Sequence, residues 1–189
     1  MENTLFQTIL DRRSIRAYKD EKVTEEQKQQ LLAAALASPT AANRQGWHFT
    51  FCEDQALLDR INAATCATAM KNAKTEEEKK RWENSFHVFF HAPLVVFISA
   101  PKKGEEMPWF SEIDVGIATE NINLAAEAIG LGGCILGFPR QAFLGDEKEE
   151  LEKALKFPEG YEFKIAISLG QKATTKGPHP VGENKYDFV

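Results

Sequence analysis

Apolar residues recur along the chain with two periods, one of three to four residues and one of two, and the two periods predict different elements. In residues 3–11, Leu5, Ile9 and Leu10 fall on one side of a short helix. Thr24 and Gln27 have the spacing of a capping box, and Leu31, Leu32, Ala35 and Leu36 follow as the stripe of the helix it opens. Pro39 stops that helix. Residues 47–52 alternate and are rich in aromatics, which predicts a strand. Asp54 caps a helix running to about Ala64. Residues 71–81 mix charges of both signs, as a solvated helix face or an exposed loop does. Phe86, Phe89 and Phe90 have helical spacing, with Pro93 ending that helix. Leu94-Val95-Val96-Phe97-Ile98 is an unbroken apolar run of strand length, expected to be buried on both faces.

The second half reads in the same way. A long helix is expected from Ser111 to about Ile129, with Ile113, Ile117, Leu124 and Ala128 inward and Gly130 at its C′ position. A short strand spans residues 134–138, a charged amphipathic helix residues 146–156, and a last core strand residues 163–169. The tail, residues 170–189, is rich in Lys, Gly and Pro and cannot form a compact unit alone. Interleaved strands and helices predict one α+β domain over the whole chain, a central sheet covered by helices. A partner subunit is a reasonable surface for the tail.

Composition narrows the function. The chain has 189 residues, 43% apolar and 27% charged, within the ordinary range for a globular domain. A formal net charge of -5 argues against broad electrostatic binding of nucleic acid or an anionic membrane. No apolar run is long enough to span a bilayer, and the first residues lack the apolar core of a signal peptide. Cys52, Cys66 and Cys134 are odd in number and form no CxxC pair, which fits free thiols in a reducing cytoplasm.

Against that acidic background, Arg12-Arg13-Ser14-Ile15-Arg16 stands out. Guanidinium forks match phosphate oxygens in pairs, although a solvated basic turn has the same composition. Residues 38–47 form a second polar cluster, a loop in which Asn43 and Gln45 can each donate and accept, as the edge of a flat heteroaromatic requires. The Gly130-Leu131-Gly132-Gly133 cluster lies between a helix and the following strand, the reverse of a Rossmann fingerprint. It is either a tight turn or a place where backbone N–H groups approach a ligand. His87 and His91 are four apart but lack the Glu of HExxH and further zinc ligands. No GxSxG elbow is present.

Taken in order, the Arg12, Arg13, Ser14, Arg16 motif, the Pro39, Thr40, Asn43, Gln45, Trp47 motif, and Asp114 and Gly116 on a helix ending in Gly130-Leu131-Gly132 resemble the nitroreductase family of FMN-dependent oxidoreductases. The resemblance extends from about residue 4 to residue 180. It implies a mainly antiparallel central sheet, a tail extending onto the partner subunit, and a homodimer with FMN at the interface. Arg12, Arg13, Ser14 and Arg16 would hold the phosphate, ribityl chain and pyrimidine edge. Pro39, Thr40 and Asn43 would flank the ring from the other subunit, with Gln45 nearby. Leu136 and Gly137 match the place where backbone N–H groups reach flavin N5. Lys176, or His179, would add a basic group at the phosphate, while Asn84, Phe86, Trp109 and Phe110 are candidates around the substrate face. The chain departs from most relatives at Thr40, where Ser is common, and at Gly46, where Pro is common. It also has a compact segment over residues 66–90. The implied activity is hydride transfer from NADH or NADPH, through the flavin, to an electron-poor acceptor such as a nitroaromatic or quinone, in a ping-pong course. A flavin-binding carrier or sensor without turnover is the alternative. Neither a catalytic side chain nor a metal ligand is assigned.

Overall fold

A computed structural model describes residues 4–83, 87–102 and 108–189, the side chains of 108–110 excepted. Four strands among these residues form one sheet: β1 (His48–Cys52), β2 (Leu94–Pro101), β3 (Leu131–Leu136) and β4 (Tyr161–Gln171), in the order β1-β2-β4-β3. Every neighbouring pair is antiparallel. Among the described residues six α-helices surround it: α1 (Thr4–Asp11), α2 (Glu25–Leu36), α3 (Gln55–Lys71), α4 (Glu76–Glu83), α5 (Pro108–Ala128) and α6 (Lys148–Ala154). Among the described residues no helix is long and apolar enough to cross a membrane.

The apolar run of β2 sits inside the sheet with a layer on each side, and residues 94–100 are buried as expected. Val95 and Phe97 face a core shared with α3, α6 and the 3-10 segment Phe138–Leu144. Leu94, Val96 and Ile98 face the core of α2 and α5. At the start of α2 the capping box is present: Gln27 N–H donates to Thr24 Oγ1 at 3.2 Å, and Thr24 N–H donates to Gln27 Oε1 at 3.0 Å. Asp54 caps α3 by accepting from Leu57 N–H at 3.2 Å.

Several elements differ from the reading of the pattern. Helix α3 continues past Ala64 to Lys71, because residues 65–70 contain no breaker and Thr65 and Ala69 find buried places. Residues 88–91 form a turn, with Phe90 and His91 at φ of 55° and 52°, so the phenylalanine spacing there is not helical. Phe89 is driven into the core while Phe90 is left at its edge. Strand β3 starts at Leu131 and ends at Leu136. Only Gly130, at φ of 83°, serves the turn.

The largest correction is the phase of α5. Its buried stripe is Asp114, Val115, Ala118, Thr119, Ile122, Asn123 and Ala126. Ile113 and Ile117 point outward, 50% and 36% exposed; Leu124 is half-buried and Ala128 exposed. Small side chains let the helix lie close to the sheet, so the bulky aliphatics are turned away. They share the surface with Leu5, Phe6, Ile9 and Leu10 of α1 and with Leu36, all exposed. Beyond Lys172 the tail has no helix or strand, and residues 173–189 are exposed.

Candidate functional site

The arginine run lies where α1 ends and the chain turns onto the edge of the sheet. Arg13 closes α1, its Nη1 donating to the carbonyls of Leu10 at 2.6 Å and Arg12 at 2.7 Å. Its Nε is buried with no partner among the described residues. Arg12 Nε pairs with Glu120 of α5 at 3.1 Å, which leaves its terminal amino groups for an anion. Ser14 then bridges Gly133 of β3 in parallel, and Ile15 N–H donates to the Gly133 carbonyl at 2.9 Å. This close approach explains the glycines. A Cβ on Gly132 would lie 2.7 Å from Ile15 Cγ1, and one on Gly133 would lie 2.5 Å from Asn123 Oδ1. Both glycines therefore serve backbone packing within the strand, and neither forms a turn.

Arg16 is exposed, with its guanidinium 5.9 Å from the centre of the Phe90 ring. The tail returns to the same place, because Ala173 N–H donates to Ala17 at 3.0 Å and Lys19 N–H donates to Gln171 at 2.9 Å. Arg16 and Lys176 consequently both act on Cys134 in β3. Burial pushes this thiol up, against the two cations, which pull it down. Two and three residues further on, Leu136 is buried and Gly137 is exposed. A Cβ on Gly137 would meet nothing within 4 Å. Beside it, Trp82 of α4 meets Phe138 edge-on, with ring centres 5.5 Å apart. The pattern reading missed Trp82, the one aromatic in a charged helix, along with Phe90 and Cys134. His179 is exposed in the tail. Asn84 and Phe86 lie outside the described residues, as do the side chains of Trp109 and Phe110.

The loop of residues 39–45 is attached elsewhere on α5. Asp114, buried, accepts from Ala41 N–H at 3.1 and 3.3 Å. Gln45 N–H donates to Thr40 Oγ1 at 3.0 Å, and Gln45 Nε2 donates to Asn43 Oδ1 at 3.0 Å. Ala42, Asn43 and Gln45 take φ of 53°, 52° and 50°, a strained run of the kind that clusters at ligand sites. Pro39, Asn43 and Gln45 are exposed and Thr40 is half-buried. Asp114 and Glu120, which anchor the loop and Arg12, are about 9 Å apart along the axis at 1.5 Å per residue. A separate cavity of about 840 Å³ opens between Gly116, Thr119, Ile135, Phe143 and Ile165, and none of the predicted site residues lines it.

His87 and His91 stack at 4.3 Å. His87 Nε2 lies 3.1 Å from Asp59, while its Nδ1 accepts from Phe89 N–H at 3.4 Å, so the proton of the neutral ring belongs on Nε2. Among the described residues no group of three or more His, Cys, Asp and Glu is placed to hold a metal. Burial makes His87 harder to protonate, against Asp59, which favours the charged form; burial lowers His48 as well. The unfolded chain therefore takes up these protons first as pH falls through about 6.5, and stability drops below that pH. Thermal midpoints should rise from pH 5.5 to 7.5, and His87→Asn should flatten part of that rise. An unchanged slope in the variant would assign the effect to other groups.

Residues 9–171 match the sequence profile of the nitroreductase family. The chain belongs to this family. A relative from Archaeoglobus fulgidus, provisionally named NADH dehydrogenase/NAD(P)H nitroreductase, is 31% identical over 165 residues, 86% of this chain and 82% of the relative. The FMN reductase (NADPH) of Bacillus subtilis is 25% identical over 195 residues, covering 95% of this chain and 70% of the reductase. Among solved structures, a nitroreductase with bound FMN from Desulfitobacterium hafniense superposes with a TM-score of 0.89 at 29% identity, each chain covered in full. The fold and the membership agree with the resemblance drawn from the arginine and loop motifs.

Proposed function

We propose that this member of the family is an FMN-dependent oxidoreductase that works as a homodimer. The observation that carries the reading is the docking of the arginine run and the returning tail on one edge of the sheet: Ser14 bridges Gly133, Ile15 is bonded to it and Ala173 is bonded to Ala17, on a strand that leads to an open Gly137. Cations at one end and the exposed backbone of Gly137 at the other suit a molecule with a phosphate tail and an electron-accepting ring. The bound FMN of the D. hafniense relative and the name of the B. subtilis reductase support the same choice.

In this reading Arg12, Arg13, Ser14, Arg16 and Lys176 hold the phosphate and the polar chain behind it. Leu136 and Gly137 present N–H groups where negative charge builds on reduction. Pro39, Thr40, Asn43 and Gln45 approach from the second protomer, whose docking would cover the bare aliphatic faces of α1 and α5. The tail, exposed from Ala173 onward, would lie across the same partner. Held by these residues, FMN would supply two-electron chemistry between NADH or NADPH and the acceptor, in a ping-pong order. With a quinone the balance is NAD(P)H plus quinone plus one proton giving NAD(P)⁺ plus hydroquinone. Trp82 and Phe138 offer an aromatic wall for a planar acceptor, quinone or nitroaromatic.

The purified protein should take up FMN, lose its yellow colour with NADH or NADPH, and recover it on adding a quinone or nitroaromatic. Protein that takes up no FMN overturns the proposal, and binding without bleaching would make the chain a carrier or sensor. Arg12→Ala should raise the FMN dissociation constant about 10- to 100-fold, the size of one charge-assisted hydrogen bond. Fluorescence titration measures this, and an unchanged constant would place the phosphate elsewhere.

A further inference from the structure

The arginine run is useful to a ligand only if its backbone is held still, and one side chain outside the run does much of the holding. Tyr18 Oη lies 2.7 Å from the Ile15 carbonyl, 2.8 Å from Ser168 Oγ and 3.2 Å from the Ser168 carbonyl. A phenol has one proton to give, and a carbonyl has none. The shortest contact therefore fixes the direction, with Tyr18 donating to Ile15. Ser168, fully buried on β4, must then donate into the Tyr18 oxygen. The result is a relay from Ser168 through Tyr18 to the carbonyl between Ile15 and Arg16.

That carbonyl belongs to a residue already tied on its other side. Ile15 N–H is bonded to Gly133, and the Ile15 side chain fills the space left by Gly132. With Tyr18 in place, both peptide groups of Ile15 are fixed, and Ser14 and Arg16 flank it. The Tyr18 ring cannot drift either. A Cβ on Gly170 would stand 3.0 Å from Tyr18 Cδ1 and 2.7 Å from Pro93 Cδ, so the ring occupies a niche that only glycine leaves open. Burial pushes the phenol up, which keeps its proton in place through the neutral range.

We propose that Tyr18, fed by Ser168, is a positioning residue for the anionic ligand: its hydroxyl sets the Ile15–Arg16 peptide so that Ser14 and Arg16 face the phosphate-bearing end of the cofactor. The inference rests on the FMN reading above and adds a residue that does not touch the ligand. It separates Tyr18 from a plain core aromatic, whose hydroxyl would leave ligand affinity alone.

The test is a double-mutant cycle on FMN affinity, using wild type, Tyr18→Phe, Arg16→Ala and the double variant. Flavin fluorescence gives each dissociation constant, and the thermal midpoint of each FMN-free protein checks its folding. Tyr18→Phe keeps the ring in its niche and deletes only the hydroxyl. It should weaken FMN about fivefold when Arg16 is present and less than about twofold when Arg16 is absent. Ser168→Ala should act in the same direction by about twofold to threefold, since Tyr18 can still reach Ile15. Equal effects in both Arg16 backgrounds would make Tyr18 a general scaffold residue and overturn the proposal, as would no effect with Arg16 present. Should Tyr18→Phe fail to fold, the same cycle run with Ser168→Ala decides by the same criterion. Wild-type protein that takes up no FMN overturns the cofactor reading itself, before any variant is compared, and this inference falls with it.

Discussion

Gly132→Ala is expected to lower both the thermal midpoint and the affinity for FMN. The added Cβ would stand 2.7 and 2.8 Å from Ile15 Cγ1 and Cβ, and 2.9 Å from Lys172 Cγ. Lys172 could swing aside only by disturbing its 2.5 Å pairing with Glu127. Ile15 has less freedom, because it is 2% exposed and its N–H is bonded to Gly133. Overpacking of this kind costs about 1–3 kcal/mol, which is roughly 2–12 °C for a chain of this size. Any relief must come from Ile15 moving outward, and that carries Ser14 and Arg16 with it. The two losses should therefore appear together. Gly137→Ala is the contrast: its Cβ meets nothing within 4 Å, so the FMN-free midpoint should stay within about 2 °C of wild type. Calorimetry of the FMN-free proteins checks both. Equal midpoints for Gly132→Ala and wild type would mean that Ile15 is not wedged against β3.

The same wedge marks where the sequence was readable and where it was not. The run 94–98 could be read because a strand covered on both faces needs apolar residues at every position. The starts of α2 and α3 could be read because their capping atoms are local. Helix α5 was misread for a physical reason. Ile113 and Ile117 look like core residues, yet the close contact with the sheet is made through Ala118 and Ala126 and leaves no room for them. A single chain's pattern does not separate residues that bury against its own sheet from residues left for another surface. The turn at Phe90 and His91 was hidden because phenylalanines at helical spacing also suit a turn that buries one ring and leaves the next at the edge of the core.

The site shows the same division. Its two motifs could be picked out as residue types at fixed spacing. Their geometry could not, since it depends on contacts distant in sequence: the tail meeting Ala17, Ile15 meeting Gly133, Asp114 holding Ala41. Trp82 was lost among charges, and only the fold brings it to Phe138.

Two variants that are each inactive should recover activity when their chains are paired. Arg12→Ala with Arg16→Ala in one chain removes the phosphate grip. Pro39→Trp in the other leaves that grip intact and places an indole where the ring would lie; Pro39 is exposed, so folding should be unaffected. If a site takes its arginines from one protomer and its loop from the other, a mixed dimer contains one site with every defect and one with none. Mixed dimers isolated through two different tags should then hold about one FMN per two chains and show about half of wild-type turnover, while each parent dimer shows almost none. If each site were built within a single chain, both sites of the mixed dimer would keep a defect and no activity would return. The arrangement on α5 favours the first outcome. Asp114 and Glu120 hold the loop and Arg12 at separate points of the helix, and the faces left bare beside them, Ile113 and Ile117 on α5 and Leu5, Phe6, Ile9 and Leu10 on α1, are aliphatic. In the proposed dimer those faces would be buried against a second copy, with the loop of one chain beside the arginines of the other. Flavin content is the decisive readout, because it reports assembly of the site whatever the acceptor.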